Sequence, residues 1–171
     1  MMSTAKHLGG IIYMVMEDYF KDLRHKIGHE EIIMPGVAGI LFDDTRQKVL
    51  MEQRGDGEVG WSLVGGMQNL GESAPTSLIR EFKEEAGIDV KITALIGVDT
   101  NFHHTFPSGD KAQIPMFLFE VEKTGGKLIA DGDETLSLEF VPLAEQPKMY
   151  NQQHQLAIDQ IRKEVPYGWY F

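Results

Sequence analysis

The sequence predicts an α/β domain in which helices pack on a mixed β-sheet. Two observations carry this. Segments with helical spacing of apolar residues interleave with short apolar or alternating runs of strand type. One adjacent pair of those runs is close enough to form a hairpin, so the sheet is not purely parallel. A chain of 171 residues, 42% of them hydrophobic, suits one ordinary domain with a sizeable core, read as 1–171.

The elements follow in order. Val15, Tyr19, Leu23 and Ile27 recur every four residues, with Met16 and Phe20 beside them. This predicts an N-terminal amphipathic helix over about 15–27, stopped near Gly28. Val37 to Phe42 is a buried-strand run between Pro35-Gly36 and Asp43-Asp44, and Lys48 to Arg54 reads as its hairpin partner. Gly55 to Gly60 is a loop, and Leu63-Val64 a very short strand. Ser73 to Ala86 is a helix, with Pro75 tolerated in its first turn and Gly87 placed to terminate it. Val90 to Val98 and Ala112 to Glu122 are strands, Pro115 placing the second at an edge or a bulge. Thr124-Gly125-Gly126 is a turn, Leu136 to Val141 a strand, and Ile158, Ile161 and Val165 give the last helix an apolar stripe.

Composition excludes several functions. With 16 Lys plus Arg against 26 Asp plus Glu, the net charge of -10 argues against a protein that grips nucleic-acid phosphates with basic side chains. The absence of cysteine excludes disulfides, zinc-thiolate sites, iron–sulfur clusters and cysteine nucleophiles. Leu8 to Met16 is apolar but meets Glu17-Asp18, and a membrane span needs roughly 20 apolar residues. No small-residue cleavage site follows it. The expectation is a soluble cytoplasmic protein without an export signal.

One stretch stands apart: Gly65-Gly66 and the loop to Glu72, then the helix ending Arg80-Glu81-Phe82-Lys83-Glu84-Glu85-Ala86-Gly87-Ile88. At about 100° per residue, Leu78, Phe82 and Ala86 share one helix face, and Glu81, Glu84 and Glu85 share the flank beside it. Like charges one turn apart cost a few tenths of a kcal/mol per pair. A cation among them would reverse that sign. Oxygen ligands without His or Cys suit Mg²⁺ or Mn²⁺. Arg80, four residues before Glu84, can orient a carboxylate. The helix pattern alone also fits an ordinary solvated face.

The full spacing is more specific. Five residues separate Gly66 from Glu72, seven more lead to Arg80-Glu81, and Glu84-Glu85, Gly87 and apolar Ile88 follow. At residue frequencies of roughly 5–10% per position, a chance match is on the order of one in ten million per window. This resembles the Nudix box of the MutT-like Nudix hydrolases, with every defining Gly, Glu and Arg present. Phe82 stands where an aliphatic residue is more usual, and Val64 where proline is usual. The resemblance implies an α/β/α sandwich around a mixed sheet. It also implies a Mg²⁺-dependent hydrolase, with Mn²⁺ as a substitute. The substrate would be a nucleoside diphosphate derivative: a nucleoside triphosphate, ADP-ribose or a nucleotide sugar.

The resemblance also implies roles. Glu84 and Glu85 would be direct metal ligands, and Glu81 a ligand or the base that activates water. Gly65 would offer its carbonyl to metal, Glu72 would lie near the metals, and Arg80 would hold the glutamates in place. An acid after the box joins the metals or serves as base in several branches; Glu134, in Asp131-Gly132-Asp133-Glu134, is the first candidate, with Glu139 beyond it. Arg54 is a candidate phosphate contact. His104 and Phe106, read as lying in a loop, are candidate substrate contacts. His25 and His29 have metal-like spacing, but Gly28 interrupts the helix between them. Homodimers are frequent among similar proteins. The alternative function is a catalytically inactive, nucleotide-sensing Nudix domain, against which the intact box argues.

Overall fold

The strand β2 (Gly36–Leu41) is buried at every position, as a six-residue apolar run between turn signals requires. Its alternation feeds two cores. Val37 and Leu41 join Leu78 and Phe82 of helix α2 (Ala74–Glu85) and Ala86, its C-cap. Ala38 and Ile40 join Ala157 and Ile158 of helix α3 (Gln152–Arg162). The sheet is therefore covered on both faces, the expected α/β/α sandwich. The computed structural model describes residues 12–54, 60–106, 108–130, 132, 135–145 and 147–171, with side chains from 19 onward.

The remaining elements, in chain order, are α1 (Ile12–Ile27), β1 (Ile32–Ile33), β3 (Lys48–Arg54), β4 (Trp61–Leu63), β5 (Gly65–Met67) and β6 (Ile88–Asp99). After these come β7 (His103–Thr105), β8 (Lys111–Gln113), β9 (Met116–Gly126), β10 (Thr135–Pro142), a short 3₁₀ turn and β11 (Trp169–Tyr170). The main sheet runs β11-β6-β9-β2-β5. It is mixed: β2 lies parallel to β9, β11 parallel to β6, and the other pairs are antiparallel. A second sheet runs β10-β3-β4, and a small third sheet β1-β8-β7. Arg24 of α1 ties that third sheet down, donating to the carbonyls of Glu30 at 2.7 Å and Lys111 at 2.9 Å. Among the described residues no helix is long and apolar enough to cross a membrane.

Four sequence readings need correction. Lys48 to Arg54 forms no ladder with β2; strand-type pairing between the two runs is limited to the isolated Phe42–Val49 bridge just past β2. The Asp43 carboxylate accepts the backbone N–H groups of Gln47 and Lys48, closing a tight turn that sends β3 into the second sheet. The run from Ala112 is two strands, because Pro115 breaks it; β8 and β9 lie in different sheets, and β9 is interior. Thr124 to Gly126 continues β9, with Gly125 and Gly126 paired to Asp89 and Ile88. His103-His104 lies in strand β7 rather than in a loop.

His154 opens a link between α3 and the second sheet. It is buried, and its Nδ1 accepts the Leu63 backbone N–H at 3.0 Å. Burial pushes its pKa down to about 3, with Arg54 adding to the effect. The unfolded chain takes up this proton near pH 6.5, so stability is fully present above that value and is lost as pH falls towards the folded value. Urea unfolding should show a loss on the order of 2 kcal/mol from this group between about pH 7 and 5. His154→Met should flatten that slope. It should also cost about 1–3 kcal/mol at neutral pH, by leaving the Leu63 N–H without its acceptor. An unchanged pH slope in the variant would remove His154 from this account.

Candidate functional site

Helix α2 begins where the sequence places it. Ser73 caps it by accepting the Thr76 N–H, and Pro75 occupies the first turn. Leu78, Phe82 and Ala86 are fully buried, which fixes the helix rotation. That rotation puts Glu81 and Glu85 at the border of the core, at 7% and 8% exposure, and leaves Glu84 more open. Two glycines let the β5 backbone come close to its neighbours, Gly66 to this flank and Gly65 to β2. A Cβ on Gly66 would lie 2.4 Å from Glu81 Oε1, and one on Gly65 would lie 2.1 Å from the Val37 carbonyl. A side chain at Gly65 would force β5 from β2, and one at Gly66 would displace the Glu81 carboxylate.

Arg80 binds the acids together. Its Nη1 donates to Glu81 at 2.8 Å and Glu84 at 3.2 Å, and its Nε to Glu72 at 3.0 Å. Its Nη2 reaches the Met67 carbonyl, Ser77 Oγ and Glu72. Burial acts to raise the pKa of Glu72, but the Arg80 contacts outweigh it and hold that carboxyl below the usual range. Burial likewise acts against the Arg80 charge, and Glu72 and Glu81 overcome it, so its pKa is raised.

A further acid stands beside this helix. Glu52 of β3 is 2% exposed. Strand alternation puts it on the same side as Leu50, which packs in the α2 core, so Glu52 points at α2. Its oxygens accept the hydroxyls of Ser62 at 2.8 Å and Thr135 at 3.0 Å. The Glu85 carboxyl lies beside that of Glu52. Burial pushes the Glu52 pKa up, against the pull of its hydroxyl partners.

These groups open on a cleft of about 390 Å³ that also gathers Gly65, Gly66 and Met67. Its other walls carry Arg54, Tyr150 and His154, together with Phe102, His104 and Phe106. The Arg54 guanidinium sits 4.6 Å from the centre of the Tyr150 ring. His104 stacks on Phe102 at 5.9 Å and meets Phe106 edge-on at 4.6 Å. The alternation of β7 and the residues around it puts all three rings on one side.

The predicted residues thus divide. Gly65, Glu81, Glu85, Arg54, His104 and Phe106 line the cleft; Glu72 and Glu84 hold Arg80 and do not line it. Glu139 is exposed on β10, paired with Met51. Glu134 lies outside the described residues. Glu52, Tyr150, Gln153 and His154 had no sequence signal. Only the shared parity of Leu50 and Glu52 could have flagged the first. Among the described residues no three His, Asp or Glu side chains stand close enough to hold an ion as placed. Arg80 draws Glu81 and Glu84 to itself while Glu85 turns to Glu52. The donor chemistry nevertheless fits a hard divalent cation: Glu52, Glu81 and Glu85 offer only carboxyl oxygens, and Gly65 a carbonyl.

Comparison with known proteins agrees with this architecture. The NUDIX domain family matches residues 33–161. A Bacillus subtilis (strain 168) protein provisionally named 8-oxo-dGTP diphosphatase is 36% identical over 104 residues, 61% of this chain and 64% of its own. The chain therefore spans just under two thirds of that relative. The ADP-ribose pyrophosphatase of Methanocaldococcus jannaschii is 28% identical over 131 residues, 75% of this chain and 74% of its own. The solved structure of a MutT protein from Methanosarcina mazei Go1 superposes with a TM-score of 0.65 at 18% identity, over 79% of this chain and 96% of its own. With the family matched across most of its length and its signature glutamates set on α2, the chain belongs to the Nudix hydrolase family.

Proposed function

We propose that the chain is a Mg²⁺-dependent hydrolase of the diphosphate linkage in nucleoside diphosphate derivatives. A nucleoside triphosphate, ADP-ribose and a nucleotide sugar all fall in this class. One observation carries the reading: a single cleft places the carboxyls of Glu52, Glu81 and Glu85 with the Arg54 cation and an aromatic wall of Phe102, His104 and Phe106. Acids that gather a cation suit the phosphates, and flat rings suit a base.

Glu85 and the Gly65 carbonyl would hold the ion, with Glu84 and Glu72 joining once released from Arg80 and Glu81 either joining them or serving as the base. Bound there, the cation neutralises phosphate charge and lowers the pKa of water. Arg54, held against Tyr150, lies ready for a phosphate oxygen. Water attacks one phosphorus, the bond to the bridging oxygen breaks, and that oxygen leaves with the other phosphate. The proton of the attacking water passes to a carboxylate, for which Glu81 is the first candidate and Glu134 the second. His104 and Phe106 pack against the base.

Glu85→Gln should cut turnover at least a hundredfold. Its melting midpoint should hold or rise, because it relieves the contact with buried Glu52. Near-normal turnover would end the metal assignment. A chelator should abolish hydrolysis, and Mg²⁺ or Mn²⁺ should restore it; full activity in chelator would overturn the mechanism. Phosphorus NMR on a nucleotide panel separates pyrophosphate release from two monophosphates. Arg80→Met should lower stability by roughly 3 kcal/mol, since it leaves acids without their cation. Added Mg²⁺ should then raise the melting midpoint of this variant more than that of the parent. Equal shifts would mean that Arg80 does not hold metal-binding carboxylates.

A further inference from the structure

Gln153, in the first turn of α3, lines the same cleft and is 3% exposed. Its Nε2 donates to Asp99 Oδ2 at 3.0 Å and to the Ile114 carbonyl at 2.9 Å. The Ile114 carbonyl can only accept, so the amide cannot be flipped. Both amide hydrogens are therefore used. Asp99 is itself held in place, its Oδ1 accepting the Asn101 N–H at 3.1 Å. The polar atom that Gln153 has left to offer is Oε1, an acceptor with fixed orientation. The cleft that Gln153 lines also carries apolar Met67, Phe102, Phe106, Ile114 and Met116, with Asn151, the N-cap of α3, and His154 beside Gln153. An acceptor of fixed orientation in such a cleft selects for a donor, because a ligand without one leaves it unsatisfied.

We propose that Gln153 is a specificity-determining residue, its Oε1 accepting a hydrogen bond from a ring N–H or amino group on the base edge of the nucleotide. This rests on the nucleotide-hydrolase reading above. The base lies against the Phe102, His104 and Phe106 wall, and its donor edge turns to α3. Asp99 and the Ile114 carbonyl act as positioning groups that keep the amide from offering its N–H groups.

The test is a series of nucleotides with Mg²⁺, scored by kcat and KM. For the preferred base, removing the recognised donor should lower kcat/KM about 10- to 100-fold, mainly through KM. N-methylation at each N–H position in turn locates that donor. Purine in place of adenine deletes a donor without adding bulk. Gln153→Met should handle the native and donor-less nucleotides alike. Discrimination that survives in Gln153→Met would overturn the proposal. So would a wild-type protein that treats every analogue within about twofold of its parent. Should the variant fail to fold, the wild-type series decides alone. If the wild type hydrolyses no nucleotide, the parent reading fails; calorimetric titration of adenosine against purine riboside then tests Gln153 by itself. Equal binding of the two would sink it, and tighter adenosine binding would support it.

Discussion

The guanidinium of Arg80 is the interaction around which the acidic region is organised. Glu72 lies in the loop after β5, and Glu81 and Glu84 lie on the flank of α2. Without a cation between them, these carboxylates would repel one another. Arg80 is suited to the place because its planar fork carries five donors. It spends them on three acids, a serine hydroxyl and the Met67 carbonyl. The loop is thereby fastened to the helix. Its other end is held by the Gln68 N–H on the Pro35 carbonyl, which brings β2 into the same arrangement. Gly66 completes it, since only a residue without a Cβ lets Glu81 lie on the strand.

The signature helix was legible because its three controls are local. The cap, the apolar stripe and the stop at Gly87 all act within the helix, and their spacing is visible in the chain. The same holds for β2, whose uninterrupted apolar run meant burial on both faces. Pairing was not legible. β3 was assigned to β2 because the two are adjacent in sequence, but the Asp43 turn sends β3 elsewhere, and nothing in β3 names β10 as its neighbour. Pro115 was read as marking an edge or a bulge, when it ends one strand before an interior one begins. Glu52 escaped for a related reason: a lone acid after an apolar run looks like a strand leaving the core. Its meaning depends on α2 lying across that strand face.

The small third sheet makes the cleft two-sided. Phe102 and Phe106 flank β7 and pack with Met34, Ala112 and Ile114 as a separate apolar cluster. Phe20 of α1 joins that cluster, and Arg24 closes it by hydrogen-bonding to backbone carbonyls. The aromatic wall thus has a foundation independent of α2. The acids of the cleft are set by α2 and β3, while the rings are set by α1 and β8.

The overall charge of -10 takes on a different meaning once the acids are sorted by burial. Most of the excess is ordinary surface. Glu52, Glu81 and Glu85 are not, each being under a tenth exposed. Removing a carboxylate from water carries a penalty of several kcal/mol, and close-packed apolar residues of similar size would often be more stable there. Only part of the penalty is offset, by Arg80 for Glu81 and by two hydroxyls for Glu52. Folding alone does not explain acids at these positions. The proposed function would, since a diphosphate is an anion that a negative site can bind only through an intervening cation. On that reading, the acids that repel phosphate from the bare protein become the reason it binds.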